Sequence, residues 1–144
     1  MSARRPGADS ESGSAALELV LVVPALISML WFLVFCGRMA DARLRVEDAA
    51  HQAARAASLE RTSSAAAGQA RATARAALHD AGVTCQSLDA TTSGSIRAGG
   101  TVTALVTCRV GLHDMALLQV PGSTTLSATA SAPVDEFRGT GETP

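Results

Sequence analysis

From Leu19 to Gly37 the chain reads LVLVVPALISMLWFLVFCG, 19 residues without a charge. No other feature restricts the fold as strongly. A backbone placed in hydrocarbon must satisfy its own polar groups, which selects a helix. If that helix begins at Ser14, it has 24 residues through Gly37, or about 36 Å at 1.5 Å per residue. Such a length crosses a hydrocarbon core of roughly 30 Å. Pro24 lies inside the run, so a kink or loosening is expected near Val20 and Leu21. Trp31 and Phe32 sit too deep to make an interfacial belt. The segment 14–37 reads as transmembrane, with the lipid bilayer as its first partner.

A chain of 144 residues and 14.6 kDa leaves room for one small domain beside that segment. Its 12 basic and 13 acidic side chains give a net charge of −1, without the basic surplus that a nucleic-acid partner requires. Every basic side chain is Arg, and Ala occurs 29 times. Such a bias looks genomic, so the choice of Arg over Lys has little mechanistic meaning. Aromatics make up 3% and Tyr is absent, which leaves few large side chains to build a cleft. A pocketed enzyme is disfavoured from the start.

Residues 1–13, MSARRPGADSESG, are polar and show no helical period, so they read as a soluble leader or a disordered tail. Gly13-Ser14-Ala15-Ala16-Leu17-Glu18 then opens onto the apolar run. A carboxylate costs on the order of 2.5–3.5 kcal/mol at the centre of a bilayer and less near the interface. Glu18 can be read simply as a headgroup-level acid at the positive end of a helix. The Gly-x-x-x-x-Glu spacing also resembles the processing site of type IV pilin-like proteins. Gly13, Glu18, the early Pro24 and the run AAHQAARAAS at 49–58 together resemble the TadE/TadG-like pseudopilins of tight-adherence (Flp) pilus systems.

That resemblance implies a prepilin peptidase that cuts between Gly13 and Ser14. It also implies other pilins and pseudopilins as partners, together with a membrane pilus-assembly platform. After cleavage Ser14 would present a free ammonium, and Glu18 of a neighbouring subunit could pair with it. Two buried charges would then neutralise each other and set the register between subunits. The expected location is the bacterial cell membrane, single-pass with the C-terminal domain outside, or the pilus itself, in a setting of cell adhesion.

Three other addresses compete. Ala40-Asp41-Ala42 is an A-x-A-like signal-peptidase site, though the polar start is long and the apolar run exceeds a usual signal core. Leu33-Val34-Phe35-Cys36 departs from a lipoprotein box at the bulky Phe35. Arg4-Arg5 is followed by Pro-Gly-Ala, unlike a twin-arginine signal. Orientation is contested too, because Arg38, Arg43 and Arg45 outnumber the two arginines before the segment. By the positive-inside rule they would hold the C-terminus in the cytoplasm. The resemblance and the cysteines point outward, and outward is the orientation adopted.

From Arg38 to Ala81 the period is helical. Val46, Ala50, Ala53 and Ala57 form a narrow apolar stripe, while Arg43, Glu47, His51 and Arg55 form a polar ridge. Arg43–Glu47 is a candidate surface pair. Arg61-Thr62-Ser63-Ser64 and Gly68 divide the region, with a second piece from about Ala65 to Asp80 and Ala70, Ala74 and Ala77 on one side. Gly82 is the stop. Ala buries little area, so the helix needs a sheet or another subunit against it.

Beyond Gly82 the period falls to two. Val83–Gln86 is expected as a short strand, and Asp89–Gly100 as a turn-rich connection with one further pairing around Ile96. Thr101–Leu112 reads as the clearest strand and Thr125–Val134 as another. Between them His113–Gly122 makes an apolar loop, and the tail from Asp135 reads as disordered. Cys85 and Cys108 fall on apolar faces of neighbouring strands, where an oxidising compartment allows a disulfide. Closing its 24-residue loop stabilises by about 3 kcal/mol in the chain-entropy model. The alternative is two buried thiols. Cys36 is left over in the apolar run.

Chemistry is sparse. His51, His79 and His113 lack metal or triad spacing, and Gly94, Gly99 and Gly100 belong to turns and not to a phosphate loop. No catalytic residue, metal site or cofactor is expected. The fold class expected is α+β: a long N-terminal helix packed on a small antiparallel sheet of about three strands, pilin-like. Its divisions are a leader (1–13), a transmembrane helix (14–37), an Ala/Arg-rich helical region (38–81), a β domain (82–134) and a tail (135–144). The function expected is a minor pilin or pseudopilin, structural or assembly-related. The alternative is a secreted or anchored β domain that binds a partner.

Overall fold

The computed structural model describes residues 10–112 and 121–137. Residues 1–9 of the leader, 113–120 of the apolar loop and 138–144 of the tail lie outside the described residues. The element order is α1 (Ser10–Ser58), α2 (Ser63–Asp80), β1 (Ser87–Gly94), β2 (Thr101–Gly111) and β3 (Ser123–Pro133). The class is therefore α+β, a long apolar N-terminal helix with a second, shorter helix and a three-stranded antiparallel sheet. Two compact units divide at the Gly37–Arg38 bond.

In the first unit, every large apolar side chain from Leu17 to Val34 is at least 43% exposed. The helix is long and apolar enough to cross a membrane, and the most apolar part of its described length has no buried residue. The helix continues through Pro24. Proline has no N–H to give the Val20 carbonyl, and the Ser28 hydroxyl donates to the Pro24 carbonyl at 2.7 Å.

In the second unit the Ala stripe is the core. Val46, Ala50, Ala53 and Ala57 are buried, joined by Ala49 and Ala54. The ridge of Arg43, Glu47, His51 and Arg55 is exposed. α1 ends at Ser58 and α2 starts at Ser63, where the Thr62 hydroxyl accepts the Ala65 N–H as an N-cap. Gly68 is inside α2 rather than between helices, because a capped helix with a buried face absorbs one Gly at about 1 kcal/mol. Ala66, Ala70, Ala74 and Leu78 are the buried face. Gly82, at φ 72°, closes the helix. Its N–H reaches the His79 carbonyl and the Val83 N–H reaches that of Leu78, a pattern that needs the left-handed residue a side chain would strain.

The sheet order is β1-β2-β3, with Ala90 opposite Val106 and Val106 opposite Ala128. Along β2 the side chains of Val102, Ala104, Val106, Cys108 and Val110 are buried, and Thr101, Leu105 and Arg109 are exposed. Helices cover one face of the sheet and water meets the other. The first strand corrects the expectation from sequence. Residues 83–86 form a connection, and the strand is Ser87–Gly94, which from Asp89 onward overlaps the run that reads as turn-rich. Composition misleads because Ser, Thr, Asp and Gly are turn-formers in isolation. Here Leu88, Ala90 and Thr92 turn inward on every second residue, and the free edge of β2 needs partners for its backbone. Ile96 pairs with no strand and belongs to the β1–β2 turn. Gly94 is required there: at φ 103°, a Cβ would lie 2.2 Å from the Thr101 carbonyl oxygen.

Candidate functional site

Gly13, Ser14 and Glu18 all lie on α1. Ser14 and Glu18 are four residues apart, or about 6 Å along the axis. Glu18 is exposed, and among the described residues it has no ion pair. Its carboxylate stands at the start of the apolar stretch.

The second chemical feature is the disulfide. Cys85 and Cys108 are bonded, with S–S 1.99 Å and Cα–Cα 5.4 Å. Cys85 lies in the connection before β1 rather than on a strand, and Cys108 is a fully buried residue of β2. The bond ties the exit of α2 to the middle strand. Cys36 is free and exposed.

Sequence reasoning missed the role of Arg45. Its Nε meets Asp41 Oδ2 at 2.8 Å, and its Nη1 donates to the Ala81 carbonyl at the C-cap of α2. One guanidinium thus holds α1 to the end of α2, where a cation is favourable to the helix dipole. Arg43 and Glu47 were the expected pair, but the ion pair forms between Asp41 and Arg45 instead. A carbonyl 36 residues away attracts Arg45, and local spacing cannot reveal that. Nearby, Arg71 reaches Asp89 on β1 at 3.0 Å. His51 and His79 are exposed; His113 lies outside the described residues. Among the described residues no three His, Cys, Asp or Glu side chains gather as metal ligands.

Two shallow clefts flank the α2–β1 connection. The first, about 290 Å³, lies between the Arg38–Arg45 face of α1 and residues 81–84. The second, about 480 Å³, lies between α2 and β1 and includes Arg75, His79 and Leu88.

No curated protein and no solved structure matches the chain significantly. The family model that matches is that of TadE-like protein, over residues 13–55, under a third of the 144 residues. The matched stretch opens on Gly13, takes in Glu18 and Pro24, and ends within the buried Ala stripe, so the similarity to the TadE-like family runs from Gly13 to Arg55.

Proposed function

We propose that this protein is a pilin-like structural or assembly subunit of a Tad-type (Flp) pilus, anchored in the bacterial membrane by residues 14–37. The match that begins at Gly13 supports the reading most directly. A prepilin peptidase removes residues 1–13 and leaves an ammonium on Ser14. Glu18 then docks against the ammonium of a neighbouring pilin or pseudopilin at the assembly platform. A charge pair in a low-dielectric setting is costly to leave half-made, so it enforces register even if its net contribution to stability is small.

The disulfide supports a C-terminal unit outside the cytoplasm, where such bonds persist. Arg38, Arg43 and Arg45 weigh against that side by simple counting. A cut after Ala42 would fit the fold poorly. It would remove Asp41, the ion-pair partner of Arg45.

N-terminal sequencing of protein recovered from its native membrane tests the reading, with Ser14 expected as the first residue. A start at Arg43 would refute it in favour of a secreted domain. Glu18→Ala should be processed normally and yet lose pilus assembly by at least tenfold in sheared-surface fractions. Normal assembly of that variant would remove Glu18 from its docking role.

A further inference from the structure

We infer that the cleft between the first turns of α1 beyond Gly37 and the α2–β1 connection is a seat for the headgroup phosphate of an anionic phospholipid. Arg38, Asp41, Ala42 and Arg45 line it from α1, with the i, i+3, i+4, i+7 spacing of one helix face. Val83, Thr84 and Val110 close it from the other side. The site is amphipathic, a cationic rim on an apolar wall.

The charges on that rim have different duties. Arg45 is committed to Asp41 and to the Ala81 carbonyl, so those two side chains neutralise each other. Arg38 is exposed and, among the described residues, has no hydrogen bond or ion pair. Its guanidinium is the free charge of the cleft, and it can take two phosphate oxygens in a fork. The exposed Thr84 hydroxyl adds a neutral donor. The neighbouring cleft shares Gly82, Val83 and Thr84 and brings Arg75 to the other side of the same connection, which extends the positive potential around it.

Arg38 directly follows Gly37, the last residue of the uncharged run. Arg38 to Arg45 spans about 10 Å of helix. The headgroup layer is roughly 5–8 Å deep on each side of the hydrocarbon. Arg38, the first residue beyond the apolar run, therefore falls at headgroup depth when residues 14–37 span the bilayer. Val83, half-buried at the cleft, gives a lipid's glycerol region an apolar contact that a free anion in water would leave empty. The assignment rests on residues 14–37 entering the membrane and is independent of peptidase processing. It also gives Arg38 a use on the outer side, where the positive-inside rule would not place it.

The test uses the full chain in neutral detergent, titrated with phosphatidylglycerol or phosphatidylcholine and read as lipid adducts by native mass spectrometry. Phosphatidylglycerol should be retained more strongly than phosphatidylcholine. Arg38→Ala should weaken phosphatidylglycerol retention about fivefold, the effect of one cation near an anionic surface. Arg97→Ala, in the exposed β1–β2 turn, should leave it unchanged. Intact mass confirms the disulfide in each variant, so misfolding is distinguished from a lost contact. Equal retention of the two lipids would overturn the proposal, and so would an Arg38→Ala result matching Arg97→Ala. Displacement of the lipid by millimolar inorganic phosphate would assign the cleft to free anions and overturn the lipid assignment. A chain that starts at Met1 rather than Ser14 would refute the pilin processing and leave this result intact.

Discussion

Helix α1 has two stretches with inverted habits. Between Leu17 and Val34, leucine, valine and phenylalanine are exposed. Between Val46 and Ala57, mostly alanines are sealed from solvent. In water the large side chains would be the ones to hide, since burial is worth about 25 cal/mol per Å² of apolar surface. The inversion is physical once two solvents are allowed. Lipid removes the incentive to bury the large groups, while close backbone approach makes the small ones useful in a packed unit. Apolar composition alone is therefore a poor guide to a core. What matters is which environment each face meets.

The sharpest way to break the comparison is a charge in the Ala stripe. Ala53→Asp places a carboxylate at a position with no exposure, and an unpaired buried charge costs on the order of 3–5 kcal/mol. The C-terminal unit should lose its cooperative thermal transition. A variant that melts like the parent would mean that the stripe is not a core.

Opening the disulfide should cost less. Cys85→Ser frees a crosslink between residues 23 apart, worth about 3 kcal/mol. The melting midpoint should fall by about 10 °C or more for a domain of this size. An unchanged midpoint in oxidising buffer would show that the packing of Leu78, Val102 and Val106 suffices without it.

The smallest effect sharpens the other side of the comparison. Leu26→Ala, at 60% exposure, should leave the melting of the C-terminal unit within about 0.5 kcal/mol, the usual range for an exposed site. A large shift would mean that this apolar stretch packs against protein.

Periodicity made much of this arrangement legible in advance. The 3.6-residue recurrence of Val46, Ala50, Ala53 and Ala57 gave the buried face of α1. The two-residue alternation from Val102 to Val110 gave β2, and Gly82 marked the end of α2. Each is a local signal, repeated over enough residues to exceed the noise of composition. β1 was hidden because SLDATTSG has few large apolar side chains and many turn-formers. Its strand character comes from pairing with β2, a non-local cause. The Arg45–Ala81 hydrogen bond was hidden for the same reason.

For the candidate site the balance is similar. Gly13, Glu18 and Pro24 are a spacing pattern, readable without coordinates and extended by the TadE-like match. The pairing of Cys85 with Cys108 could be anticipated from two inward-facing cysteines, although Cys85 bonds from a connection and not from a strand.

The sequence by itself determined that one helix is apolar enough to cross a membrane, where the small-residue face begins, and which strand alternates most regularly. Those properties are set by side-chain type at fixed helical or strand spacing, and chain neighbours suffice to express them. Tertiary structure decided that a Ser/Thr-rich segment becomes the edge strand and that Arg45 caps a helix 36 residues away. It also decided that Arg38, among the described residues, has no ion pair beside a cleft. These depend on which groups distant parts of the chain bring together, because a backbone donor or a guanidinium takes the partner that folding places within reach.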